Sequence, residues 1–288
     1  MAFNKTSWTV LASTVLYLLL WSSGGIFSKW ALDHASTFVF LVLRFALACG
    51  VLLLVGWYRG HCLPQPGTRL RVVKIGLLLI GGYSACYFLA LDHGVTPGVL
   101  ATVMGAQPLL TLVLVERRFP ASRIAGLMLA LAGLVLVVFH SITAARLSIA
   151  GMAFALGALM SMTAGAILQK GEQQAPLDVL PLQYAVGLGL CLAFMPSQPL
   201  RLEFTTGLAV SWLWLGLVYS VGAQLLFYRL IRQGNLVNVT SLFYLVPAMT
   251  ALMDYVFLGN SLPGLSVLGM AAILAGLALV FRPSATNR

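Results

Sequence analysis

Charge is what this chain has least of. Only 8% of its 288 residues are Asp, Glu, Lys or Arg, and just 7 are acidic. Soluble domains carry roughly 25% charged residues, so a solvated globular surface is excluded for most of the length. No polar segment is long enough to form a separate soluble domain. Cysteine is scarce: Cys49, Cys62, Cys86 and Cys191 are the 4 present, three of them inside apolar runs and none in a CxxC pair. That excludes a disulfide framework and a thiolate metal site. The 4 histidines, His34, His61, His93 and His140, fall one to a loop or helix end. No metal or cofactor is expected. The few acids are too scattered to supply the clustered Asp, His or Ser of a membrane enzyme.

The formal charge of +10 raises the question of nucleic acid. The basic residues sit singly or in twos and threes at the ends of apolar runs, with no basic face, so no nucleic-acid partner is expected. Membrane topology accounts for them instead, because cytoplasmic loops hold Lys and Arg.

Apolar residues fill the rest: 60% of the chain, with a mean hydropathy of +0.96. Ten runs reach the roughly 20 residues a membrane helix needs. They lie at about 8–30, 36–58, 71–91, 95–115, 121–140, 147–168, 177–197, 206–230, 235–257 and 263–281. Open strand edges cannot be satisfied in lipid, and no alternating pattern suggests a barrel. The expected fold is an all-α integral membrane protein of ten transmembrane helices. Lys5 ahead of an apolar run and the small residues Ser22 to Gly25 resemble a signal peptide, but the run is too long for its apolar core.

With the N-terminus inside, the inner loops and tails hold Lys5, Arg59, Arg69, Arg71, Lys74, Arg117, Arg118, Arg123, Lys170, Arg229, Arg232, Arg282 and Arg288. The outer side holds only Lys29, Arg146 and Arg201. Both termini should therefore be cytoplasmic, in a bacterial-type inner membrane.

The chain also repeats itself. The stretch Gly81–Pro108 has a blurred copy in Ser220–Pro247, and aligning Gly94 with Gly234 brings Pro108 and Pro247 nearly level. Leu168-Gln169-Lys170 is likewise similar to Phe27-Ser28-Lys29. Two halves follow, 1–144 and 145–288, each of five helices. Five is odd, so the halves should insert in opposite orientations.

Several motifs resemble the EamA-type, ten-helix members of the drug/metabolite transporter superfamily. They are Trp21 to Lys29, Leu43-Arg44-Phe45, Pro108 with Glu116, Gly126 to Gly133, Tyr228-Arg229, Pro247, and Gly259 leading to Gly269 and Gly276. The resemblance covers essentially the whole chain, although the second-half acid usual in the family is Asn260 here. It implies a small-metabolite exporter with a cavity between the halves, and the pattern looks like the aromatic amino-acid exporter branch.

Aromatic and amide side chains inside the bundle are the candidates for substrate binding. Tyr83 and Tyr87 are four apart and share a helical face, as do Gln224 and Tyr228. Trp21, Gln107, Phe243 and Tyr244 lie near mid-helix. Buried hydroxyls and amides need partners in hydrocarbon and should face inward; core packing is the alternative for each. Pro108 and Pro247 each remove a backbone hydrogen bond and suit a hinge or cavity wall. Gly94, Gly98, Thr102 and Gly105 suggest a small-residue packing stripe. Trp8, Trp57, Tyr58, Trp212 and Trp214, at segment ends, read as interfacial anchors.

Intramembrane charge is confined to Arg44 and Asp254. They could pair, Arg44 could hold a substrate carboxylate, or it could bind helix-end carbonyls. Lys29 should reach outward toward Asp33. The expected function is export of small metabolites, amino acids and aromatic ones among them, by alternating access, with the membrane lipid and a small-molecule substrate as partners and no obligate protein partner. Efflux of other neutral metabolites or drugs is the rival transport reading, and a membrane enzyme or structural bundle the rival outside transport.

Overall fold

The computed structural model describes residues 5–60, 63–116, 120–143, 148–258 and 263–281, with the side chains of 5–12, 140–141 and 253–258 outside that description. Helices account for its regular structure: α1 (Lys5–His34), α2 (Thr37–Tyr58), α3 (Arg69–Asp92), α4 (Pro97–Val115), α5 (Ala121–Val137), α6 (Ile149–Lys170), α7 (Pro176–Phe194), α8 (Thr206–Gln233), α9 (236–258) and α10 (Gly264–Val280). A short helix, Phe139–Thr143, lies between α5 and α6. Seven of these, α1 to α4 and α6 to α8, carry spans long and apolar enough to cross a membrane; α5, α9 and α10 supply shorter apolar helices. Among the described residues, the one extended pairing is a single bridge between Ala35 and Leu202.

Local chemistry sets the ends of the helices. Gly94, at φ +83°, makes the tight reversal between α3 and α4, a conformation side chains with a Cβ rarely adopt. Thr96 then accepts from the Val99 N–H and Pro97 opens α4, so two devices start one helix. Ser148, Thr205 and Asn235 cap α6, α8 and α9 in the same way.

Four helices are internally irregular. α3 is π-helical over Gly76–Gly82 and α8 over Trp214–Ala223. α4 breaks at Gly105–Ala106, and α9 tightens to a 3-10 turn over Leu242–Tyr244. Pro108 and Pro247 each fall just after these breaks, in the first turn of the helical segment that resumes, where a missing N–H costs least.

The tightest helix contact joins α5 and α10. A Cβ built on Gly126 would lie 2.6 Å from the Gly276 carbonyl oxygen, and one on Gly133 would lie 2.6 Å from that of Gly269. Numbers rise along one helix as they fall along the other, so the pair is antiparallel, and only glycine lets the backbones come this close. α2 runs antiparallel against α7: Phe38 stacks on Phe194, Phe45 meets Tyr184 edge-on, and the Cys49 thiol faces the Pro181 carbonyl. The connections pair as well. Ser36 N–H donates to Arg201 O and Glu203 N–H to His34 O at one end of the bundle. At the other end, Gln174 links to Gln65 and Thr68, and Arg59 to Asp178.

Two expected anchors are placed differently. The Trp214 indole donates to Ser23 Oγ at 2.8 Å and stacks on Phe27, while Trp212 donates to Leu43 O at 2.9 Å. Both tie helices together, because the indole N–H finds a partner inside the bundle. Trp57 and Tyr58 are largely exposed. The turn residues Arg117, Arg118, Arg146, Gly259 and Asn260 lie outside the described residues.

Candidate functional site

A cavity of about 540 Å³ opens among α1, α3, α4, α8 and α9, a size usual for small-ligand pockets. Lys29, Trp30 and Pro97, all exposed, stand at its mouth. Its walls are aromatic: Trp21, Tyr83, Tyr87, Phe88, Tyr219 and Phe243. Tyr83 and Tyr87 lie 5.7 Å apart between ring centroids, so the i, i+4 spacing puts both on one wall. Gly98 and Gly105 of α4 line the cavity, and Gly105 lets α4 lie close to α5, since a Cβ there would collide with the Leu134 side chain.

An aromatic plug forms the floor. Trp21 lies 4.8 Å from Tyr219 and 5.3 Å from both Phe227 and Phe243, and Tyr17 stacks on Phe227 at 5.7 Å. Beyond the plug the bundle is fastened by polar contacts. Arg123 at the start of α5 grips both Glu116 carboxylate oxygens at 2.6 and 2.7 Å, then reaches Asn235 and Asn238 at the start of α9. Lys170 donates to carbonyls at the end of α8. The cavity is thus open at the end carrying Lys29 and closed at the end carrying Lys170.

Arg44 is the buried charge of the site. Its residue is 5% exposed, and Nε donates to Ser220 Oγ at 2.8 Å. The guanidinium carbon lies 5.0 Å from the Tyr219 ring centroid and 5.6 Å from that of Phe45. A hydroxyl and two ring faces therefore hold it, in place of the helix-end carbonyls considered from sequence. Asp254 lies on α9, but its side chain falls outside the described residues, so no pairing with Arg44 is described. Among the described residues, Lys29 makes no ion pair with Asp33; it stands free at the cavity mouth.

Of the sequence candidates, the cavity gathers Trp21, Arg44, Tyr83, Tyr87, Phe243 and Pro247. Gln107, Pro108, Gln224, Tyr228 and Tyr244 are buried elsewhere. Tyr228 donates to Gln183 at 2.6 Å, and Gln183 to Gln169 at 3.1 Å, which forms a polar link between α8, α7 and α6. Gln107 and Tyr244 are fully buried, and neither the Gln107 amide nor the Tyr244 hydroxyl has a hydrogen-bond partner among the described residues.

Tyr219, a cavity wall, and Ser220, the partner of Arg44, fall opposite Leu79 and Ile80 when Gly94 is set on Gly234, so no likeness between the halves marks them. Aligning Gly94 with Gly234 carries Tyr87 onto Phe227 and not onto Tyr228. Each residue turns a helix by roughly 100°, so Phe227 meets the plug while Tyr228 faces α7. Favouring polar residue types had selected the adjacent face. The repeat offset points to Phe227 and through it to the plug, and not to Tyr219 or Ser220.

Comparisons with known proteins agree with this architecture. A solved crystal structure superposes with a TM-score of 0.78 at 20% identity, covering 95% of this chain and 96% of the other, which establishes the shared fold. Protein PecM of Dickeya dadantii is 26% identical over 248 residues, spanning 82% of this chain and 80% of that protein. A probable amino-acid metabolite efflux pump of Salmonella typhimurium is 24% identical over 282 residues, spanning 91% of each. The model of the EamA-like transporter family matches twice, over residues 7–139 and 148–282. An all-helical bundle of apolar spans around an aromatic cavity is therefore a multi-pass transporter architecture, and this chain belongs to the EamA-like transporter family.

Proposed function

We propose that the protein exports small metabolites of the amino-acid class, aromatic ones included, by alternating access around the cavity between α1, α3, α4, α8 and α9. The observation that carries this reading is the cavity itself: open at one end, closed at the other by an aromatic plug and polar fastenings, and lined from both parts of the chain. The name of the Salmonella relative points to the same substrate class. A transporter needs such a site and not covalent machinery.

The ten helices are read as two five-helix halves, 1–144 and 145–288, inserted in opposite orientations with both termini cytoplasmic in an inner membrane. Three observations support that reading: two successive family matches, the reciprocal antiparallel contact of α5 with α10, and the distribution of Lys and Arg. In this orientation the cavity opens outward.

Reconstitution in liposomes tests the proposal. Protein-dependent, saturable flux of labelled aromatic amino acids is the expected result. Absence of such flux across a panel of amino acids and neutral metabolites would remove it.

A further inference from the structure

Charge inside the cavity is one-sided. Its described lining includes Arg44 at depth and Lys29 at the mouth, and no aspartate or glutamate. An isolated buried cation is costly in a membrane interior, and such residues usually face a cavity and meet an anion there. Arg44 meets none among the described residues. Its Nε is taken by Ser220, and its face is braced by Tyr219 and Phe45. Ser220 is itself fixed, since its carbonyl accepts from the Tyr184 hydroxyl at 2.6 Å.

That bracing leaves the two terminal guanidinium nitrogens without a protein partner among the described residues, in a side chain that lines the cavity. A planar guanidinium with both terminal nitrogens free matches a carboxylate, which can accept from the two at once. The surrounding walls are the rings of Trp21, Tyr83, Tyr87, Tyr219 and Phe243. They offer flat apolar surface to a ring or hydrocarbon body. Lys29, at the opening, biases entry toward the same charge sign.

Building on the transporter reading, we infer that the site selects organic carboxylates with a ring or apolar body, the carboxylate being required and an amino group dispensable. An amino acid is then recognised through its acid end and its side chain. The corresponding deaminated acid should be accepted, and the corresponding amide or amine refused.

Four probes that differ only at the ends of one skeleton test this: phenylalanine, 3-phenylpropionate, phenylalaninamide and phenethylamine. Each is measured twice with the full-length protein. One measurement is competition against labelled phenylalanine flux in liposomes. The other is equilibrium binding to detergent-purified protein, read by quenching of tryptophan fluorescence, since Trp21 lines the site. The two acids should bind within about threefold of each other, and the amide and amine at least about tenfold more weakly, as expected when a charge-assisted hydrogen-bond pair is lost.

Arg44→Gln should abolish that preference, and Arg44→Lys, which keeps the charge without the fork, should retain part of it. Both variants are first checked for a monodisperse elution profile; if Arg44→Gln does not fold, the probe ranking in the unmodified protein decides. Equal binding of amide and acid overturns the inference, even where flux is saturable and the transporter reading stands. An acid preference that survives in folded Arg44→Gln also overturns it, because the guanidinium is then a packing element. Binding that ranks the acids first without any flux supports the inference while removing the transporter reading.

Discussion

The ammonium of Lys170 donates to the Gly234 carbonyl oxygen at 2.6 Å, with Ile231 and Arg232 carbonyls at 2.8 and 3.3 Å. One side chain at the end of α6 thereby satisfies carbonyls at the end of α8, where a helix carries its partial negative charge. This contact belongs to the closed end of the cavity, and it is specific to a cation.

Lys170→Met removes all of those donors while keeping an apolar stem. A loss of about 1–3 kcal/mol is expected for hydrogen bonds to a charged group, read as lower stability in detergent-denaturation curves. Stability equal to that of the unmodified protein would show that the contact is incidental.

Arg123 and Glu116 form a partly buried pair, with side-chain exposures of 16% and 17%. Removing either partner leaves the other charge poorly solvated. A double-mutant cycle with Arg123→Gln and Glu116→Gln should return a coupling of about 1–3 kcal/mol, above the usual value for exposed pairs and below that for fully buried ones. Additive effects of the two changes would contradict this.

Among the described residues, Gln107 has both amide atoms buried without a partner. Gln107→Leu should therefore raise the stability of this conformation by about 1 kcal/mol or more, since it removes an unsatisfied polar group. If the closed half must open and hydrate during transport, the same change should slow exchange in liposomes. Lowered stability with unchanged flux would contradict both expectations.

Tyr87 and Tyr228 separate binding from architecture. Tyr87→Ala strips a cavity wall and should raise the KM for an aromatic substrate by about tenfold or more, in line with loss of an aromatic contact and its buried area. Tyr228→Phe instead takes the donor from the Gln183 side-chain oxygen, at a cost of about 1–3 kcal/mol in stability, with KM unchanged. The reverse pattern would place the site on the other face of α8.

Much of this was legible in the sequence, and the gaps have physical causes. Apolar run lengths located the helices because a membrane span has a fixed thickness to cross. Tyr83 and Tyr87 were readable because α3 is regular from Tyr83 onward, so i, i+4 counting holds. Counting was less secure in α8, where Trp214–Ala223 is π-helical with i to i+5 bonding, and periodicity through such a stretch shifts the face. Trp214 looked like an anchor because it begins near an apolar run's end; only the approach of Ser23 from α1 reveals its partner. Arg44 was conspicuous as a charge in an apolar run, but Ser220 lies 176 positions away, and no local pattern links them.

Gly126 faces Gly276 as Gly133 faces Gly269. This seam has an evolutionary consequence. Each strip of small residues meets its own likeness running the other way, so a single ancestral five-helix chain could have closed the same seam by pairing with a second copy of itself. With both strips in one chain, neither can change alone, and a bulky residue acquired on one would call for a matching retreat on the other. The paired glycines are what the proposed two-half arrangement asks of a seam that each half shares with its inverted copy.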